Sequence, residues 1–336
     1  MTPDVNFLAL ETSCDETAAA VFTDDLRILS SVVASQDELH VRFGGVVPEI
    51  ASRAHLRNLL PVMDEALARA NLKLADIGCV VVHNTPGLVG ALLVGVTAAK
   101  SLSFALGVPL IAVNHVASHI YACRMAAGRD IFPCVGLVVS GGHTALFRCD
   151  TPLSLELLGT TRDDAAGEAF DKVAAILGLG FPGGPALERE ARSGDPKAFA
   201  FPRSFLDSPA LEFSFSGLKT AVLYACHGQG VSKMAAPPAD RRRADLAASF
   251  QEAVVEVLAG KCRQALQQTG LKRLAVGGGV SANQRLREKL RALDAEVFIA
   301  PLDLCTDNAA MAALAVEKWK VGDFAPPELD AHPNFL

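Results

Sequence analysis

The chain reads as an α/β protein built from two copies of one layout, and three observations carry that reading. Short apolar stretches separated by polar turns open each half, strands then alternate with helical stretches, and the pattern restarts near residue 133. In the first half "NFLALE", "TAAAVF" and "LRILSSVVAS" are divided by "TSCDE" and "TDD", which predicts a three-strand meander. The helix-like "PEIASRAHLRNLLPVMDEALARA" follows, then the strand-like "CVVVHN", the helix-like "GALLVGVTAAKSLSFALG" and the strand "VPLIAV". Such alternation implies parallel crossovers.

In the second half "PCVGLVVSGG", "HTALFRC" and "LSLELLGTT" form another meander, and "AGEAFDKVAAILG" predicts a helix. Then come "KRLAVGGG", the helix "NQRLREKLRAL", the strand "AEVFIA" and a last helix starting near "DNAAMAALAVEKW". The Gly/Pro-rich, charged "HGQGVSKMAAPPADRRR" reads as a surface loop, and the tail "APPELDAHPNFL" as irregular. This organisation predicts two subdomains with a cleft between them: residues 1–114 with 304–336, and residues 115–303.

Bulk properties narrow the function classes. At 336 residues, half of them hydrophobic and 20% charged, the chain suits two α/β domains with a sizeable core. Lys plus Arg number 31 against 37 Asp plus Glu, a net charge of −6, so there is no global basic footprint and any RNA contact has to be local. The start "MTPDVNFLAL" lacks the charged and apolar regions of a signal peptide, and no run approaches the roughly 20 apolar residues that span a bilayer. A cytoplasmic protein without a membrane role is expected. Eight scattered cysteines without a C-x-x-C pair fit a reducing compartment.

Three turns and one histidine pair carry the chemistry. Both "ETSCDET" and "SGGHT" are small polar turns between strands, where consecutive backbone N–H groups form an anion-binding nest; ordinary hairpin turns look the same. "LAVGGGVSANQRLREKL" runs strand, Gly triplet, helix, with Ser281 or Asn283 as cap and a positive helix end for a nucleotide. Gly277, Gly279, Ala282 and Asp303 also fit a dinucleotide fingerprint, but only residues 280–336 follow Gly279, too few to complete such a sheet. In "VNHVASHIYA", His115 and His119 lie four apart, on one helix face with Cβ atoms about 6 Å from each other. Val116 and Ala117 stand where a protease helix H-E-x-x-H carries its general base, so the hydrolytic base is missing. A metal here needs a third, oxygen ligand from elsewhere, and "CTDNAAM" offers Asp307.

Taken in order, "ETSCDETAAAVF", "FGGVVPEIASRAH", "NHVASHIYA", "VVSGGHTALF", "GEAFDKVAAILGLGFPGGP", "FSFSGLKTAV", "GGGVSANQRLR" and "CTDNAAMAA" resemble the bacterial branch of the universal tRNA threonylcarbamoyladenosine transferase family, once labelled O-sialoglycoprotein endopeptidases. The resemblance runs from about residue 6 to about residue 320. It implies the duplicated actin, Hsp70 and sugar-kinase superfold with a nucleotide cleft. It also implies transfer of the threonylcarbamoyl group of threonylcarbamoyl-AMP to N6 of adenosine-37 in tRNAs reading codons that begin with A.

On this resemblance the metal ligands are His115, His119 and Asp307, with Fe2+ or Zn2+ as the ion, and the adenylate sits against Val138, Val139, Ser140, Gly141, Gly142, Asp171, Gly184 and Asn283. The archaeal and eukaryotic branch has a Tyr ligand at the position of Val138, which here leaves the fourth coordination position to water or substrate. A shortened paralogue and a small ATPase are the implied partners, beside tRNA. Glu11, Asp15 and a metal-bound water are candidates for the group that takes the amine proton. Lys172, Lys219, Arg285, Arg287 and Arg241–Arg243 are candidates for RNA contact, charge runs otherwise being solvated. A metalloprotease and a nucleotide-binding or kinase-type protein of the same superfold are the competing classes.

Overall fold

The computed structural model describes residues 5–228 and 238–334 and divides into two compact units, residues 1–125 with 307–336, and residues 126–306. In the first unit β1 (Asn6–Glu11), β2 (Glu16–Thr23) and β3 (Ile28–Ser35) form the expected antiparallel meander. The helices α1 (Asp37–His40) and α2 (Pro48–Ala70) follow, then β4 (Cys79–Thr85), α3 (Val89–Leu106), β5 (Leu110–Asn114) and α4 (His115–Ala127). The sheet order is β3-β2-β1-β4-β5, with β4 and β5 parallel to β1. β1, β2 and β4 are near-continuous apolar runs because both faces are covered; β3 lies on the edge and alternates.

Helix α2 starts with Pro48 at its first turn and stops where Asn71 turns left-handed at φ +55°. Its buried Leu59, Val62, Met63 and Ala66 pack with Leu8, Leu10, Val21, Val80, Val82 and Val96 into the core of this unit. α3 is, among the described residues, the one helix long and apolar enough to cross a membrane, a stretch the expectation above did not single out. It packs on the sheet through Ala91, Leu92, Gly95, Val96 and Ala99.

The second unit repeats the topology. β6 (Cys134–Val139), β7 (Thr144–Thr151) and β8 (Ser154–Thr160) form the second meander. After them come α5 (Ala166–Ile176), α6 (Gly183–Ala191), α7 (Ser216–His227) and α8 (Asp240–Thr269). The unit is completed by β9 (Arg273–Gly277), α9 (Gln284–Arg291), β10 (Glu296–Ile299) and α10 (Leu302–Cys305). Its sheet order, β10-β9-β6-β7-β8, is the first order read backwards, with β6 in the role of β1 and β9 and β10 parallel to it. After Thr306 the chain rejoins the first unit as a 3-10 turn (Ala310–Leu314) and α11 (Ala315–Val321).

Three expectations are corrected. The segment from His115 to Met125 belongs to the first unit, not the second, because Asn114 caps α4 and Tyr121 Oη donates to Glu317 Oε1 at 2.7 Å. The return to the first unit falls at Asp307. Arg241–Arg243 are the first turn of the 30-residue α8, not loop; residues 229–237 of that stretch lie outside the described residues. The tail is irregular as expected but tied down, Ala325 N–H donating to Leu110 O at 2.8 Å and His332 N–H to Asn84 O at 2.8 Å.

Gly159 in β8 shows how tightly the second unit is closed. A Cβ there would stand 1.7 Å from the carbonyl oxygen of Leu211, a backbone atom that cannot rotate away. Gly159→Ala should therefore cost about 3 kcal/mol or more, like other severe overpacking. Urea denaturation measures it, and an unchanged midpoint would mean that the Leu211 segment is not seated against β8.

Candidate functional site

The first unit collects polar side chains at the carboxyl ends of its parallel strands, the usual place for sites in open α/β sheets. Leu10 pairs with Val82, so Glu11, the last residue of β1, lies beside His83 of β4. β5 ends at Asn114, whose Oδ1 accepts from Val116 N–H at 2.9 Å and Ala117 N–H at 3.0 Å and so starts α4. That cap puts His115 at the first position of the helix and His119 one turn on. Asp307 arrives from the other end of the chain, aimed by its neighbour Asn308, whose Oδ1 caps the following turn through Met311 N–H at 3.0 Å.

Asp307 Oδ1 lies 3.5 Å from His115 Nε2 and 3.2 Å from His119 Nε2, with the two imidazole centroids 4.7 Å apart. Ligand atoms about 2.1 Å from a tetrahedral ion stand about 3.4 Å from one another, so the three fit one cation. His119 faces Asp307 without the alignment of a hydrogen bond, and among the described residues neither of its ring nitrogens has a hydrogen-bond partner. Such uncompensated burial is what a cation at Nε2 would relieve.

The two imidazoles differ in their electrostatics. Burial pushes His119 below the ordinary imidazole value, which keeps the neutral, ligand form. Burial also opposes charge on His115, but the Asp307 and Glu11 carboxylates outweigh it and raise that group to about 9. Asp307 itself is 17% exposed on its side chain, and although burial opposes it, His115 and His119 hold it below the usual carboxylate range.

Behind the ligands sits Glu11, fully buried. Burial would raise its pKa; the facing imidazoles of His83 and His115 hold it well below the carboxylate range instead. Its Oε1 accepts from Ser13 N–H, and its Oε2 lies 3.1 Å from His115 Nδ1 and 2.6 Å from His83 Nδ1. A carboxylate so enclosed is not placed to take a proton from a substrate, so this candidate acceptor is reassigned to the scaffold of the site. Asp15 lies with Glu16 and Asp37 in an acidic, half-buried group; burial, then Asp307 and Asp15, pushes Glu16 well up. The expected anion nest of "ETSCDET" is partly consumed: Ser13 N–H is spent on Glu11, Ser13 O accepts from Leu88 N–H at 2.8 Å, and Thr12 Oγ1 donates to Ala91 O at 2.9 Å.

The adenylate candidates all fall in the second unit. Val138 and Val139 end β6 and are buried, while Ser140 turns the chain, its N–H donating to His143 O at 2.8 Å. Gly141 and Gly142 are exposed with open space where a Cβ would be. α5 begins against this turn: Gly167 N–H donates to Ser140 O at 3.1 Å and Ala166 N–H to Thr144 Oγ1 at 2.8 Å. Asp171 Oδ1 accepts from Gly183 N–H at 2.8 Å, next to the open Gly184. Gly278, left-handed at φ +92°, presses on the Val139 carbonyl, 2.4 Å from where its Cβ would be. Asn283 caps α9 through Leu286 N–H at 3.0 Å and donates to Gln251 Oε1 at 2.8 Å. Asp303, the acidic residue of the discarded dinucleotide fingerprint, lies on α10.

Sequence reasoning missed His83, Ser13 and Ser118. The signal for His83 was present: a lone histidine near the carboxyl end of the otherwise apolar "CVVVHN". Among the RNA-contact candidates, Arg287 is buried and donates to Ser281 O and Ala300 O at 2.7 Å each, so it braces the Gly-rich turn. Lys172 pairs with Asp164 and Glu168, Lys219 with Asp164, and Arg243 with Glu190.

Fold and site define a two-unit α/β protein of the actin, Hsp70 and sugar-kinase class, with a His–His–Asp group suited to a cation in its first unit. The Acidaminococcus fermentans (R)-2-hydroxyglutaryl-CoA dehydratase component A has the same fold, with a TM-score of 0.55 at 14% identity over 94% of this chain and 98% of that one. Residues 27–314 match the family model described as TsaD, tRNA N6-adenosine threonylcarbamoyltransferase. Proteins of that name from Moorella thermoacetica and Rhodopirellula baltica are 51% and 50% identical, covering 99% and 97% of this chain and 98% and 96% of their own lengths. The chain belongs to the tRNA N6-adenosine threonylcarbamoyltransferase family.

Arg285, at the start of α9, forms a fork with Glu252, at 2.7 and 2.9 Å, and Lys289 adds a contact at 2.9 Å. The Arg285 bonds, against the pull of burial, hold the 11%-exposed Glu252 at about 2. A depressed carboxylate stabilises the fold above its unfolded pKa and stops doing so as pH falls through its folded one. Glu252→Gln should therefore cost about 1–3 kcal/mol at pH 7, the half-exposed guanidinium reducing the figure. The gap between the two proteins should close between pH 4.5 and about 2 in denaturation midpoints; a gap constant over that range contradicts the pairing.

Proposed function

We propose that this chain transfers the threonylcarbamoyl group of threonylcarbamoyl-AMP to N6 of adenosine-37 in tRNAs that read codons beginning with A. The observation that carries the proposal is membership of the transferase family combined with the His115–His119–Asp307 convergence. N6 attacks the carbonyl carbon of the donor, the bond from that carbon to the phosphate oxygen breaks, AMP leaves with the electron pair, and N6 loses a proton. The donor is already activated, so positioning and charge stabilisation are the enzyme's main tasks.

Gly141 and Gly142 offer bare backbone to the phosphate, with Val138, Val139 and Ser140 holding the turn. Asp171, Gly184 and Asn283 take ribose and base; Asn283 keeps donor and acceptor capacity beyond its two internal bonds. His115, His119 and Asp307 hold Fe2+ or Zn2+, for which a His₂–carboxylate set is suited. When bound, the ion supplies a Lewis acid for phosphoryl or carboxylate oxygens. Asp15 remains the side-chain candidate to receive the amine proton. The exposed charge of Arg241 is offered to tRNA phosphates, whereas Lys172 is half-buried and paired with two carboxylates. All eight cysteines are free, which supports a place in the cytoplasm.

The protease class is disfavoured by the site itself. Val116 and Ala117 are buried between the histidines, and the carboxylate behind them, Glu11, is committed to Ser13 and His115.

The test is incubation with tRNA, threonine, bicarbonate, ATP and the adenylate-forming enzyme, with the paralogue and small ATPase that the family resemblance implies, followed by nucleoside mass analysis. Wild type should form the modified nucleoside. His119→Ala and Asp307→Ala should lose bound metal and at least ~100-fold in transfer while keeping their circular dichroism. Full modification by the double variant in metal-free buffer would show the ligand assignment to be wrong.

A further inference from the structure

A chain of polar contacts runs behind His115 of the His–His–Asp group. Ser118 Oγ donates its single proton to Asn114 O at 3.0 Å, so toward His83 Nε2, also at 3.0 Å, it accepts. His83 is thereby oriented with its Nδ1 edge 2.6 Å from Glu11 Oε2. Oε1 of the Glu11 carboxylate is held by Ser13 N–H, and Oε2 lies against the His83 ring. Oε2 also faces His115 Nδ1 at 3.1 Å, and Ser13 Oγ stands 3.1 Å from the same nitrogen.

We propose that Glu11, seated by His83 and Ser118, is a positioning residue that sets the tautomer and ring angle of His115. The inference rests on the cation reading above. The form of His115 that ligates an ion through Nε2, the edge facing Asp307, carries its one proton on Nδ1, which faces Glu11 Oε2 at 3.1 Å. His119, whose ring nitrogens have no hydrogen-bond partner among the described residues, has no equivalent brace. The pair is therefore asymmetric: His115 is the pre-set ligand, and His119 is placed by burial and by its edge-on contact with the His115 ring.

Glutamine at position 11 has the right shape and the wrong chemistry. Its amide N–H₂ can turn toward His115 Nδ1, donate to it, and so favour the proton on Nε2, where the ligand lone pair has to be. The experiment is Co2+ titration of the full-length chain, read by visible ligand-field absorption, with thermal denaturation of the metal-free proteins alongside.

Glu11→Gln should melt near wild type, bind Co2+ about 10–100-fold more weakly and show a changed absorption band. Ser118→Ala, which removes only the support of His83, should weaken binding about three- to tenfold. A folded Glu11→Gln protein with wild-type Co2+ affinity and spectrum overturns the proposal; if that variant does not fold, wild-type affinity in Ser118→Ala overturns it. Wild-type uptake of Co2+ that His119→Ala abolishes upholds the cation reading independently, so an unaffected Glu11→Gln would sink the brace alone. Absence of any such uptake removes both.

Discussion

A carboxylate taken fully out of water has to be surrounded by donors, and in the first unit that carboxylate is Glu11. Leaving an ion of this size uncompensated costs several kcal/mol. The compensation comes from three separate parts of the chain: the Ser13 amide on the turn after β1, His83 on β4 and His115 at the head of α4. None of these contacts survives unless β1, β4 and β5 lie parallel and in the register observed, since one residue of slip turns each side chain to the opposite face. Fold and site in this unit are therefore one set of interactions, and the same charge that organises the strand ends also orients a metal-ligand candidate.

The two units make different use of one topology. Each places a strand end and a polar turn at the centre of its sheet, Glu11 followed by "TSC" after β1 and Val139 followed by "SGG" after β6. In the first the turn is filled, with Ser13 and Thr12 committed to Glu11 and to the start of α3. In the second the turn is bare, and Gly141 and Gly142 expose backbone without side chains. A buried charge suits fixing imidazoles; an open glycine backbone suits close approach of an anion. The two units share a scaffold, and a few residues at equivalent strand ends make their turns chemically different.

Several cations in this chain are structural. Arg287 ties the turn before α9 to Ala300, and Lys261, fully buried, donates to Ser208 O and Ala210 O at 2.7 Å each. Arg242 stacks on Phe199 and donates to Ala225 O. Counting basic residues in a motif therefore overstates the charge available to RNA, because a guanidinium bonded to buried carbonyls is part of the core.

Local order was readable without the structure. The meander turns, the helix over Pro48–Ala70, the strand–helix alternation and the one-turn spacing of His115 and His119 follow from periods of 2 and 3.6 residues and from turn chemistry. The eight ordered motifs also identified the family, and the resemblance supplied the expected ligand set. α8 escaped because its buried positions run along most of its length, from Ala244 to Leu266, leaving no clean polar face, and because three arginines at its start looked like loop. What only the tertiary structure decided is which distant residues meet. Glu11, His83 and Asp307 lie on separate elements, and their convergence on His115 depends on strand order, register and the return of the chain at Asp307. Periodicity describes the face a residue takes on its own element; which elements lie side by side is settled by the burial of whole surfaces against one another.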